Sequence, residues 1–206
     1  MAKKNVSLLV SAAGWIAGLV EKLVNALRER GVTDEEIHGL VTEKGDALIG
    51  KIADTIAEFV KEAKNIFHLI IGSKNRTTEE MVEAGKYDWA NDDVNSKNFP
   101  MRPRPAGKRV IELIEFDHDV SSEEALEEAR KQGLEQPDYE DALDFGEQFP
   151  EIQRKRPIVF LHKPWQDPDG NLRVLVLSGD SSLRELRLAW FDHGWDRRCV
   201  FAFVRK

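Results

Sequence analysis

The apolar residues of this chain change their period along its length, and that change narrows the fold class before any single motif does. Over Leu48, Ile49, Ile52, Ala53, Ile56, Ala57, Val60 and Ala63 they recur every three or four positions, as on one face of an α-helix. From Ile158 onward they gather in strand-length runs: Ile158 to His162, Leu172 to Leu177, Leu186 to Trp190 and Cys199 to Val204. Composition also shifts near residue 72, so the 206 residues read as two modules. A chain of this length can bury a core without metals or disulfides. Its single cysteine, Cys199, has no intramolecular partner, which makes a reducing compartment the simpler home. The location is otherwise open: cytoplasmic by default, with display on a cell or virion surface as the alternative.

The first 72 residues read as a helical module. A first helix is expected from Asn5 to Arg30, ended by Gly31, which tolerates the left-handed position after a helix. Lys3 and Lys4 ahead of the apolar run Val6 to Val20 imitate a signal peptide. The run is too short to span a bilayer, however, and passes unbroken into Glu21, Lys22, Leu23, Val24 and Leu27, so it reads as a buried helix. This helix, which carries Trp15, is apolar around much of its circumference and suits either self-association or the centre of an intramolecular bundle. Thr33 with Glu36 forms a capping box for a short second helix, and a third runs from Asp46 to Asn65. The run Ile66 to Ile71 is short enough to end that helix or to form a strand.

Residues 73–108 are rich in Asn, Asp, Pro and Lys and read as a linker or an ordered strap. They hold a short helix from Thr78 to Ala84, closed by Gly85. Prolines keep Phe99 to Pro105 extended. Residues 109–206 read as α+β. A strand from Arg109 to Phe116 precedes a helix from Ser121 to Lys131, capped by Ser121 with Glu124 and stopped by Gly133. A second helix spans Asp138 to Phe145, and the four strand runs follow. Asp167, Pro168, Asp169, Gly170 and Asn171 make a turn between the first two runs. Short connections favour antiparallel pairing of the last strands in a small sheet.

Chemistry-bearing clusters are few. A net charge of -7 makes phosphate backbones and anionic membrane surfaces poor partners. Asp117-His118-Asp119 and Asp192-His193 bring histidine beside carboxylate, but adjacent strand residues point to opposite faces, and His38, His68 and His162 lie apart. Asp167, Asp169 and Asn171 could offer oxygens to calcium; without a bidentate Glu they read as an ordinary hairpin loop. Arg197 and Arg198 could favour a Cys199 thiolate, yet alternation places Cys199 with Phe201 and Phe203 on one buried face. Phosphate loop, nucleophile elbow and metalloprotease helix are absent from the sequence, so neither catalytic residue, metal nor cofactor is expected. Tryptophan and arginine dominate the energetic centres of protein interfaces, which marks Trp190, Trp195, Arg187, Arg197 and Arg198 as a recognition patch; Trp190 and Trp195 suit framework roles as well.

Gly85-Lys86-Tyr87-Asp88-Trp89-Ala90-Asn91, Phe149 to Arg154, Arg156 to Val159, and the closing Trp190-Phe191, Trp195 and Phe201 to Lys206 resemble a family of bacterial proteins from small-genome candidate phyla. The resemblance covers about residues 77–206, and no activity travels with it. Its pattern of a variable stretch before a fixed ending is similar to the variable proteins of diversity-generating retroelements. That similarity implies a C-type lectin-like α+β domain whose C-terminal segment is rewritten at adenines while the framework stays fixed. Asp192, His193, Gly194, Asp196, Arg197, Arg198, Cys199 and Val200 are all reachable from an Asn-type codon; Glu185 is not and would be framework. The implied function is binding of a macromolecular, protein-type ligand through Asp180, Ser181, Ser182, Arg184, Arg187, Asp192, His193, Trp195, Asp196, Arg197 and Arg198. The alternatives are an assembly protein of phage or prophage origin that oligomerises through its N-terminal helices, and an enzyme on the same fold.

Overall fold

The structure, a computed structural model, describes residues 17–39, 45–62, 65–72 and 76–206. It divides into two compact units, residues 1–60 and 61–206. In the first, α1 covers residues 17–29; the expected start at Asn5, and Trp15, lie outside the described residues. Gly31 follows at φ +80°, in the left-handed region. Helix α2 is Asp34–Gly39, and its capping box is reciprocal: the Glu36 N–H donates to Thr33 Oγ1 at 3.3 Å and the Thr33 N–H to Glu36 Oε2 at 2.9 Å. Helix α3, Asp46–Glu62, stops short of Asn65, which adopts φ +58° and turns the chain into a strand.

That strand, β1 (Ile66–Ile71), settles the ambiguous run. The second unit continues with α4 (Thr78–Gly85), β2 (Trp89–Ala90), β3 (Gly107–Glu115), α5 (Ser122–Lys131), β4 (Leu134–Glu135) and α6 (Tyr139–Gln148). Then come α7 (Ile152–Lys155), β5 (Ile158–Gln166), β6 (Leu172–Gly179), β7 (Arg184–Trp190) and β8 (Val200–Arg205). One open mixed sheet results, ordered β1-β3-β8-β5-β6-β7-β2, with β4 also paired to β8. The β5–β8 and β2–β7 pairs are parallel and the others antiparallel.

An eight-stranded mixed sheet thus replaces the expected small antiparallel one, and β7 and β8 are not neighbours. The cause lies in β8 itself. Val200, Ala202 and Val204 join one apolar cluster with α4 and α6, while Phe201 and Phe203 join another with α5. A strand apolar on both faces is stable only where both faces are covered, so β8 sits between β3 and β5. Residues 191–199 carry the chain from β7 to the centre, dropping Trp195 and Phe191 onto the α5 side of the sheet.

The segment expected as a linker or an ordered strap is, over its described part, integral to the second unit. Met81, Val94 and Phe99 are core residues, and the Thr78 hydroxyl donates to the Phe99 carbonyl. Helix α4 runs through Gly85, and the left-handed residue is Lys86, at φ +50°. The proline-held strap is fastened by charge. Arg102 makes two bonds to Glu140, at 2.7 and 2.6 Å, and Arg104 bridges Asp141 and Asp144. Arg76 pairs with Glu147 and Asp144, and Arg109 with Asp141 and Asp138. Burial pushes the carboxyls of Asp141 and Asp144 upward; the arginines beside them pull the other way.

Candidate recognition surface

Two of the expected contact residues are framework. Arg184, at 4% exposure, donates to the carbonyls of Gly85 and Gly146, both at 2.6 Å, and to Gln153 Oε1 at 3.0 Å. Gly85 and Gly146 lie in the last turns of α4 and α6, where carbonyls lack helical partners. One guanidinium therefore caps two helices, with the negative ends of both dipoles turned toward it. Its other neighbour is the Tyr87 ring, 5.1 Å from Cζ, which rests on Gly85 and Gly146 where a Cβ would collide with it. Trp195, at 8% exposure, packs edge-on against Phe201 and donates its indole N–H to Ser122 Oγ at 2.8 Å. Both residue types read as interface anchors in sequence; burial overrides that reading.

The remaining candidates occupy three places, apart from Arg187 midway along β7. In the β6–β7 turn, Asp180 Oδ1 accepts the N–H of Ser182 at 2.7 Å and of Leu183 at 3.0 Å, which draws its acidity stronger than usual. Asp180 is thus a turn-former, and Ser181, Ser182 and Leu183 are exposed around it. Asp192 and His193 follow the other end of β7, which lies six residues beyond Arg184 and so about 20 Å away. There His193 stacks on Trp190 (5.2 Å, 16°), whose ring also lies 3.4 Å from the Arg173 guanidinium carbon. Arg173 is held by Asp167 at 2.9 Å. The third place is Asp196 to Arg198: Asp196 accepts the Arg198 N–H at 2.7 Å and pairs with its guanidinium, which pulls the carboxyl down to about 2. The Arg197 side chain makes no hydrogen bond or ion pair among the described residues, although its N–H donates to Asp119 at 3.0 Å.

Arg154 and Arg156 flank the end of α7 and tie the first place to the third. Arg154 donates to the Asp180 carbonyl at 3.0 Å and Arg156 to the Arg198 carbonyl at 3.1 Å. Arg187, midway along β7, is exposed and paired with Glu185 at 2.6 Å. Sequence reasoning passed over Trp89 (48% exposed), which the register of β2 sets beside Glu185 of β7, and Leu183 (47%) in the turn that leads into β7. Nothing in the two-residue strand β2 announces that placement.

The residues weighed for catalysis or metal are otherwise engaged. His118 bridges Asp117 (2.7 Å) and Glu124 (3.4 Å), and both raise its pKa. Asp167 accepts from Asp169 N–H, Asn171 N–H, Asn171 Nδ2 and Arg173, so its oxygens close a turn. Among the described residues no cluster of three or more His, Cys, Asp or Glu is placed to hold a metal ion, and no helix is long and apolar enough to cross a membrane. Cys199 is half-buried and burial raises its pKa, which opposes thiolate formation. His162 is structural. Between the pairs Phe160–Leu175 and Trp165–Arg173, four residues of β5 bulge against one of β6, and the His162 imidazole Nε2 accepts the Leu175 N–H at 3.0 Å, while Nδ1 meets the Lys163 carbonyl at 2.7 Å. No family model, curated protein or solved structure matches the chain.

Proposed function

We propose that the chain is a non-catalytic ligand-binding protein whose C-terminal segment is a diversified recognition surface on a C-type lectin-like domain. The observation that carries this reading is how residues 191–199 are held. Their anchors are main-chain groups and one buried ring: Trp195 N–H and C=O pair with Val120, the Phe191 carbonyl accepts from Ser122, and Trp195 is inserted beneath. The exposed side chains of Asp192, His193, Arg197 and Arg198 are not among those anchors. Substitution at such positions costs only about 0.5 kcal/mol either way, so sequence there is free to follow binding. Connectivity supports the lectin-like assignment. The first long strand, β3, lies antiparallel beside the last, β8, with α5 and α6 between β3 and β5, and the antiparallel run β5-β6-β7 completes the domain.

The contact set is Ser181, Ser182, Arg187, Asp192, His193, Arg197 and Arg198; Asp180 and Asp196 shape its turns, and its occupant is a macromolecular, protein-type ligand. Sequencing of the source population tests the reading. A near-copy of the bases for about Leu177 to Lys206 should lie beside a reverse-transcriptase gene, with mismatches at template adenines and with Arg184, Trp190, Phe191, Trp195 and Phe201 retained. Changes spread evenly along the gene, or a locus without a template copy, refute it. A phage or prophage assembly role would then lead, since Leu19, Val20, Leu23, Leu48, Ile49 and Ile56 are all exposed and apolar in the helical unit. Concentration-dependent sedimentation would test that role.

A further inference from the structure

The outer side of β7 is only partly used. The carbonyls of Arg184 and Leu186 point outward, because they accept the N–H groups of Asp88 at 2.8 Å and Asn91 at 2.9 Å. Pairing with β2 covers Glu185 and Leu186 alone. Beyond Asn91 the chain turns away, and Val94 enters the core. Strand alternation sends the N–H and C=O of Leu188 and Trp190 outward too, while the Phe191 N–H turns inward to Leu172 at 2.8 Å. Among the described residues no hydrogen bond reaches those four outward groups.

We infer that this edge, from Arg187 to Trp190, takes an extended peptide segment of a partner protein as an added strand. The inference rests on the proposed recognition role and names its ligand class. Unpaired main-chain groups in register are a template for another strand, and natural edges left this way are normally guarded by charge. Here the charge of Arg187 is already engaged by Glu185, and the flanks are aromatic. Trp89 is 48% exposed and shares a face with Arg187, whose guanidinium lies 6.0 Å from its ring; Trp190 is 38% exposed and shares the opposite face with Leu188. An added strand would lay alternate side chains against Trp89 and Arg187 on one side and Leu188 and Trp190 on the other. The same edge runs from the Ser181–Leu183 turn toward His193, which gives the separated contact residues one ligand in common.

The test selects linear random peptides of about twelve residues, enough to cover the strand, on the whole chain. Amide exchange and two variants then locate the binding. Enriched peptides should slow exchange at Leu188 and Trp190. Leu188→Pro should weaken them at least about tenfold, whereas Leu188→Ala, which keeps the N–H, should stay within about threefold. Because the Leu188 N–H faces outward, proline there breaks no bond to β6. Should that variant unfold, the exchange pattern of the parent protein decides. Failure to enrich peptides, protection confined to other amides, or equal loss in both variants overturns the inference. Peptides lost on His193→Ala or Arg197→Ala but indifferent to Leu188→Pro would overturn the edge and leave the recognition surface standing.

Discussion

Replacing Arg184 by methionine keeps much of the side chain's length and removes its donors. Three acceptors then lose their partner: the carbonyls of Gly85 and Gly146 and the amide oxygen of Gln153. Each buried acceptor left unpaired costs about 1–3 kcal/mol. Against that sum stands the recovered desolvation of the guanidinium, which has no salt-bridge partner among the described residues and whose pKa is lowered chiefly by burial. Three acceptors at about 1–3 kcal/mol each, less the recovered desolvation, give a net expected loss of about 3–5 kcal/mol. In a domain of this size that lowers Tm by about 10 °C. Thermal and urea unfolding followed by circular dichroism measure both quantities. Arg184→Lys should fall between, since an ammonium lacks the planar fork that reaches two helix ends at once. Arg197→Ala, with no side-chain partner to lose, should stay within about 0.5 kcal/mol. A methionine variant melting within about 2 °C of the parent would refute the double cap and return Arg184 to the contact set.

The His162 bulge and the Tyr87–Gly146 contact give two further tests. Burial depresses the His162 pKa to about 4, so between pH 6.5 and 4 the unfolded chain binds a proton that the native imidazole refuses. Its contribution is full above pH 6.5 and declines as pH falls, by about 3 kcal/mol at pH 4; urea midpoints across that range should show the decline, and His162→Gln should flatten it. If parent and variant slopes coincide, the imidazole is not the titrating group. Gly146→Ala in α6 should destabilise by about 1–3 kcal/mol, because the new Cβ meets the Tyr87 hydroxyl while Arg184 covers the other side of the ring. Helix propensity alone has the opposite sign, about 1 kcal/mol of stabilisation, so a raised Tm in thermal melts would remove the close-packed contact from the account.

Local signals were legible where one residue type has one physical use. Thr33 with Glu36, Ser121 before α5 and the Asp167–Asn171 turn form as their side chains require. That Cys199, half-buried, packs against the cluster that holds Phe201 and Phe203 follows from alternation. Pairing order was not legible, because loop length suggests a neighbour and burial decides it. The run Val200-Phe201-Ala202-Phe203-Val204 held the clue in being apolar at every position. The strap also left a trace. Arg102 and Arg104, two apart in an extended segment, lie on one side, and Asp141 and Asp144 stand three apart on a helix. Reading that match needs the two segments to be known as neighbours, which only the tertiary fold supplies. Arginine in particular is ambiguous by type: Arg184 and Arg197 belong to the same short stretch, yet one is a buried cap and the other a solvated side chain.

The same crossing explains both the buried and the exposed halves of the C-terminal segment. A connection from β7, near the edge, to the central strand β8 must travel over a face of the sheet, so it must satisfy its own main chain above an apolar layer. It does so through Val120, Ser122 and Asp119 at the start of α5, with Trp195 buried in the layer below and Phe191 packed against it. Once those bonds are made, Asp192, His193, Arg197 and Arg198 remain at the surface. Two of the four side chains keep a local partner, His193 on Trp190 and Arg198 on Asp196. A loop built this way separates the residues that make it fold from the residues that face a ligand. That separation is the physical condition that the proposed diversified segment would need, since exposed positions outside the fold-making set tolerate substitution at little cost.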